Sequence, residues 1–129
     1  MEGINIWSGC ENGLGAALTN PTELAFRKGK LKNHYPVEFR GELFPDAEAA
    51  FKKFKVGEMK ADVELMAEVI LAKLQQHPRL FNAIKQNGGV DWLEKCSHIV
   101  GVRGSRWEGK GTDSNFILAL TLAYVHLCE

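Results

Sequence analysis

The chain reads as a single α+β domain over residues 1–129, mainly helical with short strands. Three observations predict it. Apolar residues form 45% of the sequence and charged residues 25%, the balance of a globular chain and not of a disordered one. Helical periodicity dominates the second half, where Val63, Met66, Val69, Ile70 and Leu74 fall at helical spacing. Alternating segments are few and short, and no repeat, low-complexity tract or linker divides the 129 residues.

Taken in order, Ile4-Asn5-Ile6-Trp7 alternates before Ser8-Gly9 and predicts a strand entering a turn. Gly13 to Leu18 reads as a turn. Asn20 then stands as a helix cap before Pro21, with Glu23 three positions on, so a short helix begins there and ends near Gly29. Tyr35 to Phe44 reads as a hairpin turning at Gly41, with Pro36 arguing for a sheet edge. Asp46 caps a helix from Ala47 to Lys55, which Gly57 closes.

Ala61 to Gln76 predicts an amphipathic helix with polar residues between the apolar ones. His77-Pro78 breaks it, and a second short helix from Arg79 ends at Asn87-Gly88-Gly89. Val90 to Cys96 reads as a strand and Val102 to Gly111 as a charged, glycine-rich loop. Thr112-Asp113-Ser114 supplies caps for a last helix, Phe116 to Leu127, apolar all round and therefore expected at the centre, with the strands to one side.

Composition restricts function. Lys plus Arg and Asp plus Glu both total 16, so no net positive field is available to hold a duplex, and stable duplex binding is not expected. Cys10, Cys96 and Cys128 are widely spaced without a CxxC pair, which predicts reduced thiols in a cytoplasm and no zinc site. No basic stretch followed by an apolar run opens the chain, so no signal peptide is expected. Phe116 to Leu127 is far shorter than the roughly 20 residues a membrane span requires. No cofactor is implied.

Four stretches carry candidate chemistry. Gly13-Leu14-Gly15 partly imitates a dinucleotide fingerprint, but the third glycine and the βαβ context are missing. Phe44-Pro45-Asp46-Ala47-Glu48 runs into Phe51 and Lys55. A carboxylate in a first helical turn is favoured by the helix dipole unless an apolar pocket raises its pKa, and Lys55 stands two turns further along. On spacing alone Glu48 complements the dipole and Lys55 is solvated. The third stretch is Leu18-Thr19-Asn20, where capping already explains the asparagine. The fourth is Arg103-Gly104-Ser105-Arg106-Trp107-Glu108-Gly109, followed by Asn115, which joins an indole for stacking to guanidinium groups for phosphate. A structural alternative has Trp107 covering the core edge and Asn115 capping the last helix. His34, His77, His98 and His126 share no spacing that suggests a site, and no nucleophile triad is readable.

These stretches resemble the YbiA-like/NADAR family of small N-glycosidases. Phe44, Glu48, Phe51 and Lys55 match its aromatic, glutamate, aromatic and lysine positions, and Leu18-Thr19-Asn20 is similar to its Leu/Phe-Ser-Asn element, with Pro21 in place of the usual aromatic. Lys73 to Leu80 resembles its Lys-Phe-x-Gln stretch, with Lys73 facing a phosphate-lined cleft as one option. The Trp107 loop resembles its Trp-Gly loop but lacks the acid that usually precedes the tryptophan, and Glu108 follows instead. The resemblance implies hydrolysis of a ribose–base N-glycosidic bond in ADP-ribosylated guanine or a ribosylamino-pyrimidine. Glu48 would act as acid, base or electrostatic group, Trp107 as stacking platform, and Lys55 as phosphate contact or amine nucleophile. Asn20, Phe44, Arg103, Arg106, Glu108 and Asn115 would contact a nucleotide or ADP-ribosyl substrate. The alternatives are a non-catalytic ADP-ribose or nucleotide binder and a protein-interaction module without ligand.

Overall fold

A computed structural model describes residues 2–102 and 104–129. It is a mainly helical α+β domain with two small antiparallel sheets. The long helix α4 (Met59–Gln76) packs along the last helix α7 (Asn115–Cys128), and this pair is the spine of one continuous hydrophobic core. No helix among the described residues is long and apolar enough to cross a membrane.

Ahead of the spine come α1 (Gly13–Leu18), α2 (Thr22–Arg27), the hairpin β1 (Val37–Phe39) and β2 (Glu42–Phe44), and α3 (Ala47–Phe54). The hairpin forms where expected. Arg40 and Gly41 both take positive φ, 52° and 78°, the two-residue turn whose twist matches the flanking strands. The register sets Val37 opposite Phe44 and sends both inward, while Leu43 is left exposed. Among the described residues no further strand pairs with β1. Instead Gln76 receives the Glu38 N–H at 2.7 Å and donates to the Glu38 carbonyl at 2.8 Å, satisfying the outer edge with a side-chain amide.

Asp46 caps α3 as its sequence position predicts, with Oδ1 accepting from Ala49 N–H at 2.9 Å. Its Oδ2 also accepts from Glu23 N–H at 3.1 Å, in the first turn of α2. The role expected of Asn20 is therefore filled from another element: Pro21 holds the cap position of α2 and the Asn20 side chain accepts no capping hydrogen bond. The Gly13–Leu18 stretch is a helix and not a turn, because Asn12 Oδ1 receives the N–H groups of Leu14 and Gly15. A Cβ on Gly15 would lie 2.5 Å from Cys10 Sγ, so a side chain is excluded there by packing.

The spine helix starts at Met59, two residues ahead of the expected Ala61, because Glu58 Oε2 receives Ala61 N–H. Pro78 opens α5 (Pro78–Asn87), which Gly88 ends at φ 129°. The predicted strand at Val90 to Cys96 is instead α6 (Val90–Leu93). Trp92 and Leu93 are adjacent and both buried, which a half-exposed strand cannot arrange but one helical turn packed on α7 can. The strand expected at Ile4 to Trp7 contracts to one parallel bridge, Asn5 to Ser97. Ser97 belongs to β3 (Ser97–His98), which pairs with β4 (Gly109–Lys110) before a 3₁₀ turn over Gly111–Asp113.

Ser114 caps α7, its Oγ receiving Ile117 N–H at 3.1 Å, and Asn115 is the first helical residue. Burial on every side does not follow. Phe116, Ile117, Leu120 and Tyr124 are enclosed, whereas Leu122 and Val125 are exposed by 48% and 40%, because α4 covers only one flank of α7.

Candidate functional site

One cleft joins the segments that the sequence reading singled out separately. It has a volume of about 230 Å³ and lies where the α1–α2 link, the start of α3 and the Trp107 loop converge. That is below the roughly 300–1,000 Å³ of drug-sized ligand pockets, so only part of a nucleotide-sized ligand fits inside it.

Glu48 stands in the first turn of α3 because Asp46 caps that helix two residues earlier. Its own N–H donates to the Asn20 carbonyl at 3.2 Å, fastening the acid-bearing turn to the α1–α2 link. The carboxyl is half-buried. Desolvation raises its pKa above the usual carboxylate range, Lys52 opposes this, Asp46 adds to it, and Lys55 opposes it again.

Trp107 lines the same cleft, with its ring edge-on to Phe51 at a centroid distance of 5.6 Å. The loop is anchored to the start of α7. The Trp107 carbonyl accepts from Ser114 Oγ at 2.6 Å, and Asn115 N–H donates to the Arg106 carbonyl at 3.2 Å. Asn20 also lines the cleft and is only 4% exposed. Its amide nitrogen donates to Met66 Sδ, while Oδ1 has no partner among the described residues. A buried acceptor left unpaired costs about 1–3 kcal/mol, and this oxygen is enclosed by the protein and not open to the cleft.

His98 completes the constellation, and sequence spacing gave no hint of it. Its Nδ1 lies 2.7 Å from the Ile6 carbonyl, and its ring packs on Phe116 at 4.6 Å. Burial lowers its pKa, with the Ile6 hydrogen bond and the Glu108 charge opposing.

The remaining sequence candidates fall elsewhere. Phe44 is a core residue of the hairpin, edge-on to Phe54. Lys55 is exposed and leaves the helical face of Glu48, since α3 ends at Phe54 and Lys55 is extended at φ −61°, ψ 146°. Lys52, four residues from Glu48, is the cation that acts on it most. Arg106 and Asn115 line a separate groove beside the start of α4. Glu108 turns into its own loop, one carboxylate oxygen receiving Val100 N–H at 2.8 Å and Val102 N–H at 2.9 Å. Those amides hold its pKa below the usual range. Arg103 lies outside the described residues. Lys73 faces no cleft: it is 1% exposed, and its ammonium donates to the Thr19 carbonyl at 2.6 Å.

The cleft lining thus contains one carboxyl, one imidazole and an aromatic wall, with no Lys or Arg among the described residues. Such a lining suits a sugar or base better than a phosphate. No group of three or more His, Cys, Asp or Glu side chains is disposed to hold a metal among the described residues. Set against family models, curated proteins and solved structures, the chain matches none.

Proposed function

We propose that the protein hydrolyses an N-glycosidic bond between ribose and a base, the reaction implied by its resemblance to the YbiA-like/NADAR family. The observation that carries this reading is the meeting of Glu48, Trp107 and Asn20 in one cleft from three distant parts of the chain. Breaking a C–N bond to ribose builds positive charge at C1′, which a nearby carboxylate stabilises. A carboxyl drawn toward neutrality by burial can equally protonate the departing base. The indole face of Trp107 offers the base a stacking surface worth about 1–3 kcal/mol.

Because the cleft lining is free of cations among the described residues, ribose and base occupy it and any phosphates stay outside, toward Lys52 and Lys55. Lys55 is in this reading a contact at the rim and not an amine nucleophile.

The test is release of free base from ADP-ribosylated guanine nucleotides and ribosylated pyrimidines, followed by mass spectrometry. Glu48→Gln should slow release roughly 10²–10⁴-fold; equal release by both proteins removes Glu48 from the mechanism. One observation favours a second reading, a non-catalytic ADP-ribose binder: Glu108, the acid next to Trp107, is committed to backbone amides. Thermal stabilisation by ADP-ribose without base release from any substrate would select it.

A further inference from the structure

The hydrogen bond at Nδ1 decides what His98 presents to the cleft. A backbone carbonyl only accepts, so Nδ1 carries the hydrogen and the neutral ring keeps an open lone pair on Nε2. No partner for Nε2 exists among the described residues, and the side chain lines the cleft that Glu48 also lines. Packing on Phe116 and pairing of His98 with Gly109 across β3 and β4 fix the ring in place.

We propose that His98 is a second proton-transfer residue of this cleft, activating the attacking water through Nε2 while Glu48 serves the departing base. The role rests on the glycosidase reading. In the step, the water oxygen bonds to C1′ and gives a proton to His98 Nε2. The C1′–N bond breaks, its electron pair goes to the base nitrogen, and that nitrogen takes the proton of the Glu48 carboxyl. Loss of the His98 proton and reprotonation of Glu48, through solvent, restore the starting state; the sum is substrate plus water giving the ribosyl group with a C1′ hydroxyl (ADP-ribose from ADP-ribosylated guanine) and the base with an N–H.

The charged groups around the ring suit this role. Among the described residues, the segment before α1 contributes the Ile6 carbonyl, α7 contributes uncharged Phe116, and the approach to β4 contributes Glu108, whose charge favours the imidazolium once formed. Glu48 is the remaining ionisable group of the lining. Burial outweighs both favourable contacts, so the ring is ready as a base at neutral pH.

His98→Asn keeps an N–H for the Ile6 carbonyl and removes Nε2. Base release by the wild type should fall on the acid side as His98 protonates, below the ordinary histidine range. His98→Asn should lose that limb, run roughly 10²-fold slower, and recover in part with added imidazole. Should Glu48→Gln abolish release while His98→Asn keeps the wild-type rate and pH profile, the role of His98 is overturned and the glycosidase reading stands. Absence of release by the wild type overturns both. Should the variant not fold, ¹⁵N NMR of the wild-type imidazole decides. Expected are an unprotonated Nε2 at neutral pH and a shift of its signal on adding ADP-ribose; a protonated Nε2 or an unmoved signal overturns the proposal.

Discussion

Replacing Lys73 by methionine should stabilise the protein at neutral and acid pH, an unusual outcome for loss of a buried, hydrogen-bonded side chain. Burial pushes the Lys73 ammonium down from 10.5 to about 7, with the Asp46 charge opposing. At about 1.36 kcal/mol per pH unit, that gap is a penalty of about 5 kcal/mol for keeping the proton in the folded state. The sign follows from proton counts. Between pH 7 and 10.5 the unfolded chain binds the proton that the folded chain has released, so wild-type stability rises with pH across this window. Below pH 7 the penalty is fully present. Lys73→Met removes it but leaves the Thr19 carbonyl without its donor, at about 1–3 kcal/mol. The net gain should be about 2–4 kcal/mol at pH 6 and vanish or reverse by pH 10. Urea unfolding monitored by tryptophan fluorescence at pH 6, 8 and 10 measures both proteins. Parallel stability profiles across that range, or a variant weaker than wild type at pH 6, would refute the reasoning.

Two further outcomes concern the Trp107 loop. Ser114→Ala removes the cap of α7 and the donor to the Trp107 carbonyl in one substitution. Thermal unfolding should show a loss of about 2–4 kcal/mol, and a loss below about 0.5 kcal/mol would mean that the hydroxyl anchors neither group. Glu108→Ala should speed amide exchange at Val100 and Val102, measured by NMR. Because the folded-state carboxyl of Glu108 titrates lower than normal, its hold on these amides is present above the ordinary pKa of 4.5. The wild type should loosen in the same place as pH falls through the depressed value.

Local signals located much of this fold. The hairpin was readable because Gly41 and the alternating residues around it demand one turn geometry, and α3 because Asp46 stands immediately before a run of helix formers. The amphipathic α4 was readable from its apolar spacing. Where a distant partner decides the outcome, the reading went astray. Asn20 has the sequence position of a cap, yet the amide it was expected to bind goes to Asp46, 23 residues from Glu23. Val90 to Cys96 has β-like composition, but tertiary packing of Trp92 and Leu93 imposes a helical turn. Of the candidate site residues, Glu48, Trp107 and Asn20 each stand out in a distinctive stretch, and the three line one cleft. His98 carries no such local signal, since the Ile6 carbonyl that orients it is 92 residues away in the chain. Lys55 was misplaced because a seven-residue spacing implies a shared face only while the helix continues, and α3 stops at Phe54.

Asp46 receives amides from the first turns of both α2 and α3. The two walls on which Asn20 and Glu48 ride are thereby pinned to a common post, and neither can swing away unless that carboxylate releases one of its helices. Under the proposed function a ligand would meet a mouth of set width in place of a flexible jaw, and selection by size would originate in a side chain the ligand never touches.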